Sequence, residues 1–257
     1  LTIGGHIAVD LAEQFGTPLY VYSGDGLVAH YAAFASAVSE LDCVVHYAVK
    51  ANSSLGVLGL LAQQGAGADI VSGGEMKRAL IAGIAPDKIV FSGVGKTDDE
   101  IRAALQAGIA QINAESATEL RHISQIAAET ERQAPVALRV NVNVDPGSHA
   151  KISTGQRSTK FGIPVADGEA AMLYRQLCSD PNLIPRGLAV HIGSQLRKLD
   201  PFERAYQELL ALADMLCAEG LNVPMLDLGG GLGVDYEGDT TPDFEAYGQM
   251  VTRIFAN

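Results

Sequence analysis

The chain has 257 residues, 47% of them apolar, and a formal net charge of −12. This length suits one α/β barrel or two small domains, and the negative charge argues against nucleic acid or an anionic membrane as partner. Three scattered cysteines, Cys43, Cys178 and Cys217, lack metal-ligand spacing and are expected to be reduced core thiols. Because there is no apolar run near 18 residues and no signal-peptide pattern, we expect a cytoplasmic enzyme.

The first 41 residues predict a helix, a strand and a second helix. Apolar residues in 1–15 have helical spacing that closes at Gly16, residues 18–22 alternate as a short strand, and residues 27–41 carry one apolar stripe. Both ends of the sequence look cut, since it opens without methionine and stops directly after an amphipathic stretch. We therefore expect a fragment of a longer protein.

A unit of about 20–30 residues then recurs, with a short apolar run, a polar or glycine-bearing turn and an amphipathic segment. Strands that alternate with helices indicate βαβ units and a parallel sheet. The predicted strands are 44–49, 68–71, 89–91, 109–112, 136–142, 187–192 and 225–228, and the predicted helices between them are 55–64, 74–82, 97–107, 116–130, 167–178 and 201–218.

Seven such strands are one short of an eight-stranded barrel. The fold class predicted is therefore α/β, a TIM-like (β/α)8 barrel that stops before its eighth strand. A doubly wound open sheet is the alternative, but its glycine fingerprint is missing after the first strand. Residues 143–164 are longer than a usual βα connection, and we expect a functional loop over the top of the barrel.

Polar residues follow these strands or end them, and in a parallel barrel such positions meet on one face, where active sites occur. Polar residues at the ends of several strands predict a site that is made of several loops. The residues concerned are Lys50, Asp69, Ser72, Ser92, Asn113, Arg139, Asn141, His191, Ser194 and Gly229.

Lys50 closes an apolar, β-branched run and is expected to have its stem in apolar surroundings. Desolvation there would lower the pKa of the amine and favour a Schiff base with an aldehyde. The alternative is a lysine that snorkels from a strand end into water. Asp69, at the end of the next strand, could orient Lys50. For Ser72 and Glu75, a helix-starting capping box with no catalytic role is the favoured interpretation.

Two strand ends suggest a phosphorylated ring compound as ligand. Gly229, Gly230 and Gly231 could offer backbone N–H groups to a phosphate, although tight turns need glycine too. His191 could stack on a planar ring or serve as a structural histidine, and Ser194 could donate its hydroxyl to the same phosphate. His191 has no companion at metal-ligand spacing, so no metal is expected. A strand-end lysine, a phosphate loop and an imidazole together suit pyridoxal phosphate.

With these residues in place, the sequence resembles the diaminopimelate decarboxylases, a family of the alanine-racemase-like barrel class. The resemblance runs along nearly the whole chain in the family's order. The matching stretches are 16–22, 47–52, 69–75, His149 with 152–155, 160–163, 191–195 and 227–233.

The resemblance implies pyridoxal 5'-phosphate as cofactor and decarboxylation of meso-2,6-diaminopimelate to L-lysine and CO₂ in a homodimer. It implies that residues 1–25 pack with a C-terminal β-domain, while 26–257 form the cofactor-binding barrel. The family's eighth strand, its C-terminal β-domain and the substrate-binding residues there are not in this sequence, so we expect the fragment alone to be inactive. The implied cofactor-binding residues are Lys50, His191, Ser194, Gly229, Gly230, Gly231 and Arg139, and the implied catalytic residues are Lys50, His191 and Asp69.

Three alternatives stay open. The first is a decarboxylase of another basic amino acid or of a carboxylated polyamine precursor, which pocket residues outside this sequence would decide. The second is a barrel aldolase that uses Lys50 without a cofactor. The third is a regulatory relative that keeps the fold but has lost the cofactor.

Overall fold

The computed structural model describes residues 1–145, 161–234 and 243–256. Ten strands and nine α-helices lie along these residues, and from β3 onward strands and helices alternate in the predicted order, with the short strand β8 added after β7. They are β1 (Thr2–Ile3), β2 (His6–Ile7), α1 (Ala8–Phe15), α2 (Gly24–Ala37), β3 (His46–Ala48), α3 (Leu55–Gln63), β4 (Gly67–Ile70), α4 (Gly73–Ile81), β5 (Ile89–Phe91), α5 (Asp98–Ala107), β6 (Gln111–Ala114), α6 (Ala117–Glu129), β7 (Ala134–Asn141), β8 (Ile163–Pro164), α7 (Glu169–Ser179), β9 (Leu183–Val190), α8 (Asp200–Ala218), β10 (Met225–Asp227) and α9 (Phe244–Phe255).

The main sheet has the strand order β10-β9-β7-β6-β5-β4-β3, and every neighbouring pair is parallel. The two-residue strand β8 pairs with the end of β7. Consecutive strands are neighbours because each returns through a helix that buries its apolar stripe against the sheet. The seven predicted strands are confirmed, with boundaries that shift by up to four residues at either end.

A hydrogen bond across the sheet shows that it curls into a barrel. Asn113 on β6 donates through Nδ2 to Asp227 Oδ2 on β10, at 3.0 Å. Two strands lie between β6 and β10, so a flat sheet would hold them about 14 Å apart. The direct contact requires the inner faces of the two strands to point at each other. The predicted barrel is therefore confirmed, with seven strands in its path among the described residues.

Helix α2, which precedes edge strand β3, packs against helix α9, which follows edge strand β10. The Phe34 ring contacts the rings of Phe244 and Tyr247 at centroid distances of 5.4 and 5.6 Å. Gly248 is buried here, and a Cβ on it would lie 1.9 Å from the Ala37 carbonyl oxygen. The helical layer thus continues past the sheet edges, although no described strand fills the place between β10 and β3.

The predicted strand at residues 18–22 is wrong. Those residues have no strand partner, and Tyr20 is 84% exposed, so neither a ladder nor a core stabilises them. The predicted helix over residues 1–15 is shorter, since a small hairpin precedes α1. Helix α2 begins three residues before the predicted start because the Ser23 hydroxyl caps it by accepting from Gly26 N–H.

Two further expectations need correction or fall partly outside the structure. The cysteines are free as expected, but Cys43 and Cys217 are exposed and are not core residues. Most of the long loop, at 146–160, lies outside the described residues. Its end forms β8, where Gly162 (φ +75°) passes so close to Val140 that a Cβ would meet the Val140 backbone at 3.1 Å. None of the described helices is long and apolar enough to cross a membrane.

The packing of α9 on α2 predicts opposite effects for the same substitution at two helical glycines. Gly248→Ala should destabilise the fold by about 1–3 kcal/mol, because the new methyl group overlaps the Ala37 carbonyl. Gly59→Ala in α3 is the matched control, since its nearest neighbour lies 3.8 Å away; it should stabilise the helix by up to about 1 kcal/mol. Urea unfolding measures both, and equal effects at the two sites would contradict the close α2–α9 contact.

Candidate active site

The carboxyl ends of the strands place the predicted polar residues at one edge of the sheet. Asp69 is in β4, Arg139 is in β7, His191 directly follows β9, and the triple glycine begins two residues after β10. The charges of Lys50 and Arg139 both act on Asp69 and on His191. Because parallel strands all end at one edge of the sheet, these four residues share one region of the barrel mouth.

A chain of hydrogen bonds crosses the barrel interior from Asp69 to Asp227. The Ser92 hydroxyl donates to Asp69 Oδ1 at 2.6 Å and accepts from Asn113 Nδ2 at 3.2 Å. Asn113 uses its other amide hydrogen on Asp227, and its Oδ1 accepts from Gln111 Nε2 at 2.7 Å. Gln111 and Asn113 are both buried on the inner face of β6. This series of hydrogen bonds therefore holds two carboxylates, Asp69 and Asp227, that come from opposite sides of the barrel.

Asp69 carries a raised pKa, about 6. Desolvation by burial is the main cause, and the negative charge of Asp227 adds to it, while the Ser92 hydrogen bond and the cations Lys50 and Arg139 oppose it. No direct ion pair joins Asp69 to Lys50 among the described residues. The predicted orienting contact is therefore replaced by a longer-range charge interaction, with Ser92 as the direct partner of Asp69.

The imidazole of His191 is held against the glycine loop. Its Nδ1 accepts from the Gly230 N–H at 3.3 Å, which leaves the ring proton on Nε2. Burial, together with the charges of Arg139 and Lys50, lowers the pKa of His191 to about 4. The ring is thus neutral at pH 7.

The triple glycine is required by close packing as well as by any ligand. Gly229 (φ +66°) and Gly231 (φ +115°) have backbone angles that other residues rarely adopt. A Cβ on Gly229 would lie 2.2 Å from the Val190 oxygen, and one on Gly231 would lie 1.9 Å from the Gly193 oxygen. Glycine at these positions lets the loop after β10 lie directly on the end of β9.

The N–H groups of this loop are partly used inside the protein. Gly229 N–H bonds to Asp227 Oδ1 at 2.9 Å, and Gly230 N–H bonds to His191. Gly230 is exposed and nothing lies within 4 Å of where its Cβ would be, so the backbone is open to a ligand at that point. Ser194 is also exposed, in the adjoining loop.

Lys50 differs from its prediction. It lies in a single 3-10 turn (Val49–Ala51) that follows β3, and it is exposed, whereas Val49 takes the fully buried position. The physical reason is that β3 is an edge strand of the described sheet, so no neighbouring strand covers that side. The expected apolar surroundings of the amine are therefore wrong for this structure.

The turn after β4 supports the structural interpretation of Ser72 and Glu75. The Ser72 hydroxyl caps α4 by accepting from Glu75 N–H at 3.2 Å, and Glu75 Oε2 accepts from Val71 N–H at 2.7 Å. Both side chains are thus bonded to the backbone of their own turn.

Two functional candidates were missed by the sequence reasoning. Glu115 follows β6 and accepts from Arg139 Nη1 at 2.9 Å, and Asp227 ends β10 and meets Asn113. Both obey the strand-end rule that selected the other residues, so that rule alone could have found them. Of the stretches that carry the family resemblance, His149, residues 152–155 and Lys160 lie outside the described residues.

Comparison with known proteins identifies the architecture. Residues 25–256 match the family model described as the pyridoxal binding domain of pyridoxal-dependent decarboxylases. The chain belongs to this family. Its cofactor is pyridoxal phosphate, as predicted.

Individual relatives show which decarboxylases this chain is similar to. Diaminopimelate decarboxylase of Vibrio cholerae is 50% identical over 242 residues, which are 94% of this chain and 58% of that protein. The crystal structure of diaminopimelate decarboxylase from Helicobacter pylori complexed with L-lysine has a TM-score of 0.93 at 38% identity, over 98% of this chain and 63% of that one. Lysine decarboxylase from Selenomonas ruminantium has a TM-score of 0.83 at 27% identity, over 97% and 62%. This chain spans about three fifths of the curated relatives it matches.

The two perturbed groups predict opposite pH dependences of stability. The folded chain binds fewer protons than the unfolded chain at His191 between pH 6.5 and about 4, so His191 makes stability rise with pH in that window. At Asp69 the folded chain binds more protons between pH 3.8 and about 6, so Asp69 makes stability fall with pH there. Each effect is at most about 3 kcal/mol.

The quantity to compare is the unfolding free energy at about pH 7 minus that at about pH 4.5. His191→Asn should make this difference smaller than in the unmodified chain, and Asp69→Asn should make it larger. Urea unfolding at the two pH values measures both slopes. If the two variants changed the slope in the same direction, one of the assigned pKa shifts would have the wrong sign.

Proposed function

We propose that the protein carrying this chain is a diaminopimelate decarboxylase that converts meso-2,6-diaminopimelate to L-lysine and CO₂. The observation that carries the proposal is that Asp69, Arg139, His191 and the triple glycine all lie at the carboxyl ends of parallel strands, with the His191 ring bonded to Gly230 N–H. Lys50 follows β3 at the same edge of the sheet, so an amine, a cation, a neutral imidazole and an open glycine backbone border one barrel mouth. The similarity to the Vibrio cholerae enzyme supports the choice of reaction.

The residues present fit pyridoxal phosphate. Gly229 and Gly231 have no room for a Cβ, and exposed Gly230 faces open space beside exposed Ser194; we propose that the phosphate lies there. Backbone N–H groups in glycine loops are common phosphate donors. Cations are needed nearby because the whole chain carries a net charge of −12, and Arg139 and Lys50 supply them.

We propose that Lys50 holds the cofactor aldehyde covalently and that the His191 imidazole lies on the face of the ring. Exposure of Lys50 leaves its amine accessible to an incoming aldehyde. Neutral His191 places no second positive charge beside the ring, since its pKa is about 4. When bound, the cofactor supplies an electron sink for the carbanion left by the departing carboxylate.

Asp69 is proposed as the acid that acts on the Lys50 amine through charge. With a pKa of about 6, it is mainly ionised at neutral pH. Its negative charge then acts on the Lys50 side chain without a direct contact between the two groups. Ser92 fixes the orientation of the carboxylate at 2.6 Å, so the field at Lys50 has a defined source.

Homologues favour diaminopimelate over the competing substrates. Seven relatives of that name, from six species, are 46–51% identical to this chain, whereas the lysine decarboxylase of Selenomonas ruminantium is 27% identical. We propose in addition a cytoplasmic homodimer in which residues 1–25 pack with a C-terminal β-domain and residues 26–257 form the cofactor-binding barrel. The exposure of Val9 and Phe15 on α1, 62% and 65%, supports an apolar surface that another unit covers.

The assignment of Lys50 predicts a single covalent attachment point. After incubation with pyridoxal phosphate and borohydride reduction, the complete protein that carries this sequence should bear the pyridoxyl group on Lys50. Lys50→Ala should abolish the label and reduce CO₂ release by at least about a thousandfold. Lys77→Ala, at an exposed position of α4, is the control and should keep both. Peptide mass spectrometry locates the label, and labelling of another lysine would overturn the assignment.

Substrate choice predicts a ranking in the same assay. CO₂ release from meso-2,6-diaminopimelate should exceed release from L-lysine, L-ornithine and L-arginine by at least about a hundredfold in kcat/KM. If one of the other three amino acids is the best substrate, the cofactor site stands but the substrate proposal is wrong. A Lys50-dependent cleavage of a carbonyl substrate without added cofactor would instead favour the aldolase alternative.

A further inference from the structure

We propose that Glu115 is a positioning residue of the cofactor site, which holds the guanidinium of Arg139 in place for the bound cofactor. The proposal rests on the assignment of Arg139 to the pyridoxal phosphate site. Glu115 itself is not proposed to touch the cofactor, so its effect must pass through Arg139.

Glu115 is a buried carboxylate whose contacts join two strand-end loops. Only 2% of its side chain is exposed. Oε1 accepts from Arg139 Nη1 at 2.9 Å and from Gly93 N–H, in the loop after β5, at 3.1 Å. The Arg139 side chain is 11% exposed, so the ion pair is shielded from water and its geometry is better defined than that of a surface pair.

The second carboxylate oxygen of Glu115 makes its burial unfavourable for the stability of the fold. Glu115 Oε2 is buried and has no hydrogen-bond partner among the described residues, which removes stability rather than adding it. Glu119, four residues later, differs, because one of its oxygens pairs with Lys96 and the other accepts from Glu115 N–H. Both oxygens of Glu119 therefore have partners, whereas Glu115 keeps one buried oxygen without a hydrogen bond beside its ion pair with Arg139.

A second contact fixes Arg139 from another direction. The guanidinium carbon lies 5.2 Å from the centroid of the Phe161 ring, within the range of a cation–π interaction. Phe161 precedes β8, and its carbonyl accepts from Asn141 Nδ2 at 3.3 Å. An arginine side chain has many rotamers, and the acid on one side with the ring on the other select one of them.

The position of this arginine matters because its charge reaches the proposed site. Arg139 acts on both Asp69 and His191, which lie on β4 and after β9. A guanidinium released from Glu115 would change the field at both residues and lose its fixed direction toward the cofactor. Removing the Glu115 carboxylate should therefore weaken cofactor binding only while Arg139 is present.

A double-mutant cycle on the complete protein tests this dependence, with the dissociation constant of pyridoxal phosphate as readout. Glu115→Gln should weaken cofactor binding about tenfold in the native background and less than twofold in an Arg139→Met background. Glu100→Gln is the matched control: Glu100 also accepts from a loop N–H, that of Gly73, at 2.7 Å, yet does not contact Arg139. It should change binding less than twofold.

The possible outcomes separate the two proposals. Equal effects of Glu115→Gln in both backgrounds, or an effect no larger than that of the control, would overturn the positioning role. Failure of the unmodified protein to bind pyridoxal phosphate would instead contradict the proposed function. Should Glu115→Gln not fold, Glu115→Asp keeps the charge but is too short to reach both Arg139 and Gly93. It should weaken binding several-fold in the native background, and the absence of that loss would also overturn the role.

Discussion

Parallel pairing of the strands is the constraint on which the rest of the structure depends. Because β3 to β10 all run in one direction along the main sheet, their carboxyl ends share one edge, and curling turns that edge into the mouth of a barrel. The Asn113–Asp227 hydrogen bond shows the result, since residues that are 114 positions apart meet across the interior. Every polar residue placed just after a strand is thereby directed to one region.

Two kinds of interaction then shape that region. Glycines at 229 and 231 let the loop after β10 lie on the end of β9, and a side chain at either position would collide with a carbonyl oxygen. Buried polar pairs set the charges, with Ser92 holding Asp69 and Glu115 holding Arg139. A strongly negative chain can in this way hold the cation Arg139 at the barrel mouth, because local geometry outweighs net charge at short range.

Much of this was readable from the sequence because it depends on local patterns. Apolar runs of strand length, amphipathic segments between them and polar residues at run ends predicted seven parallel strands and a site at their carboxyl ends. The failures have a common cause in missing partners. Residues 18–22 alternate like a strand, yet nothing pairs with them, and Lys50 follows an apolar run, yet it is exposed because β3 is an edge strand.

The sequence by itself determined the order and direction of the elements and which residue types end the strands, since periodicity and residue chemistry act over a few neighbours. Only the tertiary structure decided which of those residues meet. It brought Asp227 to Asn113, Gly230 to His191 and Glu115 to Arg139, contacts that depend on the curvature of the sheet. Burial and the pKa shifts of Asp69 and His191 follow from the same packing, because desolvation is set by every element around a group and by no single stretch of chain.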